Sequence, residues 1–290
     1  QLQVGHAVGG LRRHAHEDAQ PLPARDAGRG RGGVLAADAV LRVHAVEPHR
    51  SAAAAEFGAG PGREFHDAAR RRARNFDQSE FAQAVQTTHE HGAKAYLTLN
   101  IDLTERDLGQ AARLLKLAQD SGVDAVLVRD PALLAIKPEF PRLDFHFSTQ
   151  TCMAISADVA AAARLGATRV VLARELSLTE IAQASAVPDV ETEVFVQGAL
   201  CFSVSGRCMM SSWVGGRSGN RGTCTSTCRV PWSVDGGAAG TPMSMKDLAL
   251  IHRLDELRAA GVAALKIEGR MKTADWVSQA VSLYRRALAG

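Results

Sequence analysis

The sequence predicts an α/β fold of the (β/α) TIM-barrel type, incomplete at its N-terminal side, with a cysteine-rich insertion between the last two strands. Predicted strands and helices alternate from residue 77 onward, which implies a parallel sheet. Several of these strands have one apolar and one polar face, as barrel strands with a functional interior do. The chain has 290 residues, of which 46% are apolar and 22% charged, and this composition is typical of a globular protein.

The elements follow one another in a regular order. Asp77 with Glu80, and Thr104 with Asp107, are spaced as capping boxes that open the first two helices. The predicted helices cover residues 77–91, 104–122, 154–165, 177–185, 246–260 and 274–289. The predicted strands cover residues 94–100, 125–130, 144–150, 169–175, 191–198 and 264–270. Six strands imply that two are missing from an eight-stranded barrel, although an open doubly wound sheet fits the same order.

Alternation within the strands favours the barrel over the open sheet. A parallel strand that is buried on both faces should be apolar throughout. Four of these strands instead place apolar side chains on one face and mostly polar ones on the other. We expect the apolar face to pack against the helices and the polar face to line the barrel interior. The apolar set includes Leu97, Leu99, Phe145, Phe147, Val194, Val196, Leu265 and Ile267.

Residues 1–71 form a separate segment that resembles no regular element. Its first 70 residues lack Ile, Met, Asn, Thr, Lys, Tyr, Trp and Cys, and they hold six of the ten histidines. The composition fits either GC-rich DNA translated out of frame or a disordered tail rich in Ala, Gly and Arg. The ordered domain is therefore expected to cover residues 72–290.

Composition excludes several classes of protein. No apolar run approaches the roughly 18 residues of a membrane span, and no secretory signal is recognisable, so we expect a cytoplasmic protein with no membrane partner. Five cysteines in 290 residues are too few for a disulfide scaffold. The formal net charge of +3 is too small to indicate a nucleic-acid partner by itself.

Four of the five cysteines lie close together in the sequence, at Cys201, Cys208, Cys224 and Cys228. Zinc knuckles bring thiolates in pairs two to four residues apart, and only the last two cysteines fit that spacing. Iron–sulfur clusters accept four thiolates at varied spacing, so the pattern favours a cluster, with zinc or no metal as alternatives. Cys152 stands alone after a strand and is expected to be a packed thiol.

The segment around these cysteines, residues 199–234, contains no Asp or Glu. It contains the four arginines Arg207, Arg217, Arg221 and Arg229, whose charges can offset an anionic cluster or bind the carboxylates of a small ligand. A solvated basic loop is the alternative interpretation.

Several motifs resemble the U32 family, whose members are named peptidases or collagenase-like proteases, and especially its RNA-hydroxylating branch. The matching strings are Arg72-Ala73-Arg74-Asn75-Phe76, Gly198-Ala199-Leu200-Cys201, Ser205-Gly206-Arg207-Cys208, Arg217-Ser218-Gly219-Asn220-Arg221-Gly222 and Lys266-Ile267-Glu268-Gly269-Arg270. The resemblance covers residues 72–290. It departs from the family at Gln197, where a histidine is usual, and in the first two strand units, which should lie where residues 1–70 show no pattern.

The resemblance implies a [4Fe-4S] cluster on the four clustered cysteines and prephenate as a carboxylate co-substrate. It also implies hydroxylation of a pyrimidine in rRNA or tRNA. The polar groups expected to orient the base are His146, Gln150, Glu268 and Arg270. The candidate substrate-binding residues are Arg207, Arg217, Asn220, Arg221, Arg229 and Lys266.

Two other functions compete with this one. A peptidase, as the family name says, would need a free nucleophile, and Cys152 with His146 is the nearest option in the sequence. An inactive fragment is the third possibility, because a barrel without two of its strands would expose sheet edges.

Overall fold

The computed structural model describes strands 42–46 and 53–57, and residues 78–233, 236–269 and 272–289. Its helices are α1 (Gln78–Glu90), α2 (Glu105–Asp120), α3 (Pro131–Ala135), α4 (Ser156–Arg164), α5 (Leu178–Ser185), α6 (Met210–Gly215), α7 (Leu254–Ala259) and α8 (Ala274–Ala289). Its strands are β1 (Arg42–Val46), β2 (Ala53–Phe57), β3 (Lys94–Leu99), β4 (Ala125–Val128), β5 (Asp144–Phe147), β6 (Arg169–Val171), β7 (Glu191–Gly198), β8 (Leu248–Ala249) and β9 (Ala264–Ile267).

The sheet is curled and mostly parallel. Strands β3, β4, β5, β6 and β7 pair in parallel with their neighbours in chain order, and β7 also pairs in parallel with β9. All six predicted strands are therefore present, and the helices between them give the predicted (β/α) barrel architecture.

The regular pattern breaks down at the N-terminal side, as predicted. Strand β2 pairs in parallel with β3, but β1 is antiparallel to both β2 and β9. The connection between β1 and β2, residues 47–52, is too short for the crossover helix that a parallel unit needs. These two strands also correct the expectation that residues 1–71 hold no regular element. They pair with the two strands that would otherwise be sheet edges, so pairing partners outweigh the weak strand propensity of alanine.

Two layers of side chains confirm the alternation. The predicted apolar set packs with the helices in the outer core, together with residues such as Leu114, Leu115 and Tyr284. The opposite faces line the barrel interior, where Tyr96, Leu127 and Val171 form a small apolar cluster. The interior polar side chains Thr98, His146, Ser148, Glu193, Lys266 and Glu268 are all buried.

Some element boundaries differ from those predicted. The capping box of Thr104 and Asp107 is present, whereas Asp77 lies outside the described residues. The long helix predicted over 246–260 is replaced by β8, a 3-10 turn at Ile251–Arg253 and the short α7. The cause is tertiary, because β8 pairs with the end of β7 and the Leu250 N–H donates to the Val196 carbonyl at 2.9 Å.

Candidate iron–sulfur and substrate site

The four clustered cysteines lie on the long connection between β7 and β8, beyond the carboxyl end of β7. This is the end of a (β/α) barrel at which active sites are built. The connection leaves the sheet at Gly198, whose φ is +111°. A Cβ at this position would lie 2.5 Å from the Glu268 carbonyl oxygen, so the close approach to the end of β9 requires glycine.

The thiols of Cys201 and Cys224 are near that of Cys228. Burial raises the pKa of Cys228, and the neighbouring thiols of Cys201 and Cys224 raise it further. Gly219 lies between Cys208 and Cys224. A Cβ at this glycine would be 3.7 Å from Cys224 Cβ and 3.8 Å from the Cys208 carbonyl oxygen. Cys201 and Cys224 are exposed, while Cys208 and Cys228 are half-buried. The connection thus brings together the thiols of Cys201, Cys224 and Cys228, and the backbone of Cys208 lies close to Cys224 through Gly219.

Hydrogen bonds support the thiol of Cys224. The backbone N–H of Ser226 donates to Cys224 Sγ at 3.4 Å, and the Ser211 hydroxyl donates to the same sulfur at 3.8 Å. Ser211 is itself buried, and its hydroxyl oxygen accepts from the Thr225 N–H at 3.1 Å. These contacts fix the position of the Cys224 sulfur.

Four cysteines in one connection could hold either a zinc ion or an iron–sulfur cluster. Within the described residues, no three His, Cys, Asp or Glu side chains converge closely enough to hold one metal ion. A single zinc requires its ligands at about 2.3 Å from one centre. Iron–sulfur clusters accept four thiolates at varied spacing, and residues 199–233, which hold all four cysteines, contain no acidic side chain. The cofactor itself remains a prediction.

Two of the predicted substrate-binding arginines hold the connection in place. The Arg221 guanidinium donates to the Asp107 carboxylate at 2.8 Å and to the Asp102 carbonyl oxygen. Arg229 donates to the Leu200 carbonyl at 2.8 Å and also to the Met245 carbonyl oxygen. Their donors are largely occupied by the protein, so a structural role accounts for both.

The other residues predicted to bind substrate differ in whether their side chains already have partners in the protein. Arg207 and Arg217 are exposed, and neither guanidinium has a hydrogen bond or an ion pair in the part of the chain that the structure describes. The Asn220 side chain lies 3.9 Å from the Met209 sulfur, and the Asn220 carbonyl accepts from the Asp102 N–H at 3.4 Å. In the described structure, Arg207 and Arg217 are therefore the two residues of the predicted set that are available to bind an anion.

Lys266 belongs to a buried ionic layer inside the barrel. Its Nζ lies 3.0 Å from Glu193 Oε1, within ion-pair distance but outside hydrogen-bond geometry. Arg169 lies 3.5 Å from Glu193 and 2.5 Å from Glu191. Lys266 is only 4% exposed, so the structure places it beneath the mouth as part of the interior packing.

The predicted catalytic residues do not all meet. Gln150 follows β5, accepts from Arg129 at 3.1 Å, and its backbone packs against Gly206 in the cysteine connection. Glu268 follows β9 and pairs with Arg174 at 3.2 Å. Arg270 lies outside the described residues.

His146 lies apart from this group. It lines a cavity of about 400 Å³ together with the first residues of β3, β5, β6 and β7, which are Lys94, Asp144, Arg169 and Glu191. That cavity therefore opens at the amino ends of the strands, opposite the cysteines. Burial holds the pKa of His146 well below its usual value, and the charges of Arg169, Lys266 and Lys94 lower it further. The structure thus does not bring His146 to the cysteine mouth.

A family model described as peptidase family U32 matches residues 61–290. The chain belongs to peptidase family U32.

This U32 chain is similar to curated proteins with different names. It is 35% identical over 232 residues to the tRNA hydroxylation protein P1 of Bacillus subtilis, covering 76% of this chain and 55% of that protein. It is 35% identical over 273 residues to the 23S rRNA 5-hydroxycytidine synthase of Escherichia coli, covering 92% of this chain and 38% of that protein. It is 30% identical to a collagenase of Porphyromonas gingivalis, covering 75% of this chain and 57% of that protein. The chain thus spans about half the length of these relatives or less.

Two residues of the U32 chain that sequence reasoning missed are Arg174 and Glu175. The guanidinium carbon of Arg174 lies 3.9 Å from the centre of the Phe195 ring, in addition to its pairing with Glu268. Glu175 accepts from the Ser205 N–H at 2.5 Å and from the Ser205 hydroxyl at 3.0 Å, which ties the cysteine connection to the end of β6. A signal was present, because both follow a strand at its carboxyl end, where barrel sites are built.

The position at which this chain departs from the family pattern has a structural partner. The Gln197 side-chain oxygen accepts from the Tyr284 hydroxyl at 3.1 Å, and that hydroxyl also lies 2.8 Å from the Val196 carbonyl. Gln197 is therefore tied to α8.

None of the described helices is both long enough and apolar enough to cross a membrane.

Proposed function

We propose that this U32 chain carries the iron–sulfur site of an enzyme that hydroxylates a pyrimidine base in rRNA or tRNA. One observation carries the proposal: four cysteines lie on one connection beyond the carboxyl end of β7, in a chain whose curated relatives are named for RNA hydroxylation. A cysteine peptidase uses one thiol as its nucleophile, whereas four cysteines on one connection can hold a redox-active cluster.

Cys201, Cys208, Cys224 and Cys228 would hold a [4Fe-4S] cluster. When bound, the cluster would supply a site that binds and activates a small oxygen donor. The chain's own contribution is to position the thiols. Glu175 and Arg221 fix the connection to the ends of β6 and β3, and Ser211 and Ser226 donate to the Cys224 sulfur.

The oxygen donor would be a small carboxylate such as prephenate. Arg207 and Arg217 lie on the cysteine connection, are exposed and have no partner within the described residues, and guanidinium groups bind carboxylates bidentately. Arg174 and Glu268 lie at the carboxyl ends of β6 and β9, where their ion pair would form the polar base of the proposed pocket. The target base would have to leave its stack to enter such a pocket.

Anaerobic purification tests the cofactor. The proposal expects a brown protein with about four irons and four sulfides per chain, as the four-thiolate cluster type requires. Cys208→Ser should lose the iron and the colour, while the control Cys152→Ser should keep both. A colourless, iron-free protein after reconstitution would overturn this part.

Mass spectrometry of nucleosides tests the reaction. RNA from cells that lack the protein should be incubated with the reconstituted chain and prephenate. The proposal expects a pyrimidine nucleoside heavier by one oxygen atom, absent with Cys208→Ser. A longer chain that spans the full length of the relatives should be tested in parallel. If only the longer chain gives the product, the 290 residues bind the cluster but do not suffice to bind the RNA.

A peptidase is the second candidate, because the collagenase of Porphyromonas gingivalis is also similar. Geometry gives it little support: no hydrogen bond joins Cys152 to His146 within the described residues, and His146 is buried beside Tyr96, with ring centres 5.0 Å apart. Gelatin hydrolysis that persists in Cys208→Ser but disappears in Cys152→Ser would favour the peptidase.

A further inference from the structure

We propose that helix α6 and its flanking arginines form a binding surface for unpaired RNA, with Trp213 stacking on a base and Arg207 and Arg217 contacting phosphates. The inference rests on the proposed function, because it takes RNA to be the substrate brought to the cysteine mouth. It adds the surface by which the RNA is held and the residue that contacts a base.

The connection between β7 and β8 exposes an unusual amount of apolar side chain. Trp213 is 82% exposed, and Phe202, Val204 and Met209 are each about half exposed. A tryptophan that buries so little of its surface gains nothing from folding. Exposed apolar groups gathered on one connection mark a binding surface. We call Phe202, Val204, Met209 and Trp213 the apolar rim.

The orientation of Trp213 follows from its place on the helix. Ser211 faces inward, since it is 1% exposed and contacts Cys224 and Thr225. Residues two apart on an α-helix point to nearly opposite sides. Trp213 therefore faces away from the protein, on the side of α6 opposite Cys224. A base stacked on it would be one that flanks the target base in the RNA rather than the target itself.

The charge around the rim identifies the partner's chemistry. Residues 199–233 contain no acidic side chain, and the exposed Arg207 and Arg217 flank α6 with free guanidinium groups in the described structure. Arg221 and Arg229, by contrast, are occupied by Asp107 and by backbone carbonyls. Free cations beside exposed aromatic rings are how proteins bind the phosphates and bases of single-stranded nucleic acid.

An unpaired strand fits this surface better than a duplex. The faces of bases in a duplex are covered by their neighbours, so an indole ring can stack only on a base that is already free or has been displaced. Sequence-specific RNA recognition mostly uses loops and bulges for this reason. We therefore expect binding to prefer an unstructured RNA over a double-stranded one of the same length.

Fluorescence titration of the reconstituted full chain tests the surface. The probe is a short unstructured RNA oligonucleotide, which should quench the exposed Trp213 more than the buried Trp232. Trp213→Ala should weaken binding between about fivefold and a hundredfold, the effect of removing one stacked base. Replacing Arg207 and Arg217 by Ala should lower the slope of log affinity against log salt by about 0.7 for each phosphate that the variant no longer binds.

The matched controls are Leu165→Ala and Arg164→Ala. Leu165 is 55% exposed and Arg164 is exposed, and both lie at the carboxyl end of α4, away from the cysteine mouth. Both controls should bind RNA as the wild type does. Equal affinity of Trp213→Ala and wild type for the oligonucleotide, or equal affinity of the wild type for duplex and single strand, would overturn the inference.

The outcomes separate this inference from the proposed function. Binding needs no turnover, so the reconstituted wild-type chain should show the Trp213-dependent affinity without prephenate, when no hydroxylation occurs. If Trp213→Ala hydroxylates RNA at wild-type rate and affinity, the proposed function holds and this surface is not its RNA site. If Trp213→Ala instead abolishes self-association of the chain without changing RNA affinity, the apolar rim is a protein interface and the inference is wrong.

Discussion

Arg174 and Glu268 meet across the mouth of the barrel at 3.2 Å, and the Arg174 guanidinium also covers the Phe195 ring. They are far apart in the sequence, yet each follows the carboxyl end of a strand. Both are largely shielded from solvent, so their charges are only weakly screened. The pair joins β6 to β9 at the level where a substrate would enter.

The first prediction concerns this pair. Arg174→Met should lower the free energy of unfolding by about 3 kcal/mol, the lower end for breaking a buried pair, because both side chains keep some exposure. Urea denaturation measures the decrease. The double variant with Glu268→Gln should recover part of it, since no uncompensated carboxylate remains. An equal decrease in the single and double variants would mean that packing on Phe195, rather than charge, stabilises Arg174.

The second prediction concerns Gly198. With φ at +111° and the Glu268 carbonyl in contact, Gly198→Ala requires the backbone to move. We expect it to lower the free energy of unfolding by about 2 kcal/mol or more. The control is Gly215→Ala in α6, where an added Cβ meets no atom within 4 Å. Similar melting temperatures for the two variants would show that the approach of β7 to β9 has room to relax.

The third prediction concerns pH. His146 is neutral in the folded chain because burial and the nearby cations lower its pKa, whereas the unfolded chain binds a proton at about pH 6.5. The unfolded state thus gains protons first as pH falls. The free energy of unfolding should drop below pH 6.5 by up to about 1.4 kcal/mol per pH unit, until the folded pKa is reached.

Denaturation at several pH values measures that slope. His146→Gln should reduce it, and the exposed His252→Gln serves as the control. An unchanged slope in His146→Gln would assign the acid sensitivity to other groups.

The fourth prediction concerns the docking of the cysteine connection on α2. Burial works to raise the pKa of Asp107, but hydrogen bonds from Thr104 and the charge of Arg221 hold it below the usual value. Arg221→Ala should therefore lower the free energy of unfolding by about 2 kcal/mol, the effect of removing hydrogen bonds to charged groups. It should also lower the iron content, since residues 219–221 then have no anchor on α2.

Calorimetry and an iron assay on the same preparation check both effects. The exposed Arg106→Ala on α2 is the control and should match the wild type. Full iron content in Arg221→Ala would show that the four thiols position themselves without this anchor.

The periodicity of the sequence was sufficient to predict the barrel and to assign the strand side chains to its outer and inner faces. Phe145 and Phe147 pack outward and His146 inward, because strand side chains alternate whatever their tertiary partners are. Periodicity does not give the height of a residue along the barrel axis. It therefore could not separate His146 from Gln150 and Glu268, which lie at the opposite end of the strands.

Other parts depended on partners that are distant in sequence. Arg221 could be identified as a free cation or as an anchor only once Asp107 was seen beside it. Strands β1 and β2 have little strand propensity of their own, and their pairing depends on neighbours that lie across the barrel. The cysteine group, by contrast, was identified from spacing and composition because all its members lie in one connection.

The barrel interior is filled between its two openings by the ionic layer of Glu193, Arg169 and Lys266 and by the rings of Tyr96 and Phe195. A solute that enters the cavity beside His146 contacts these side chains before it can approach the cysteines. Buried side chains therefore separate the two openings of the barrel, and a compound that binds beside His146 should not contact the cysteine connection.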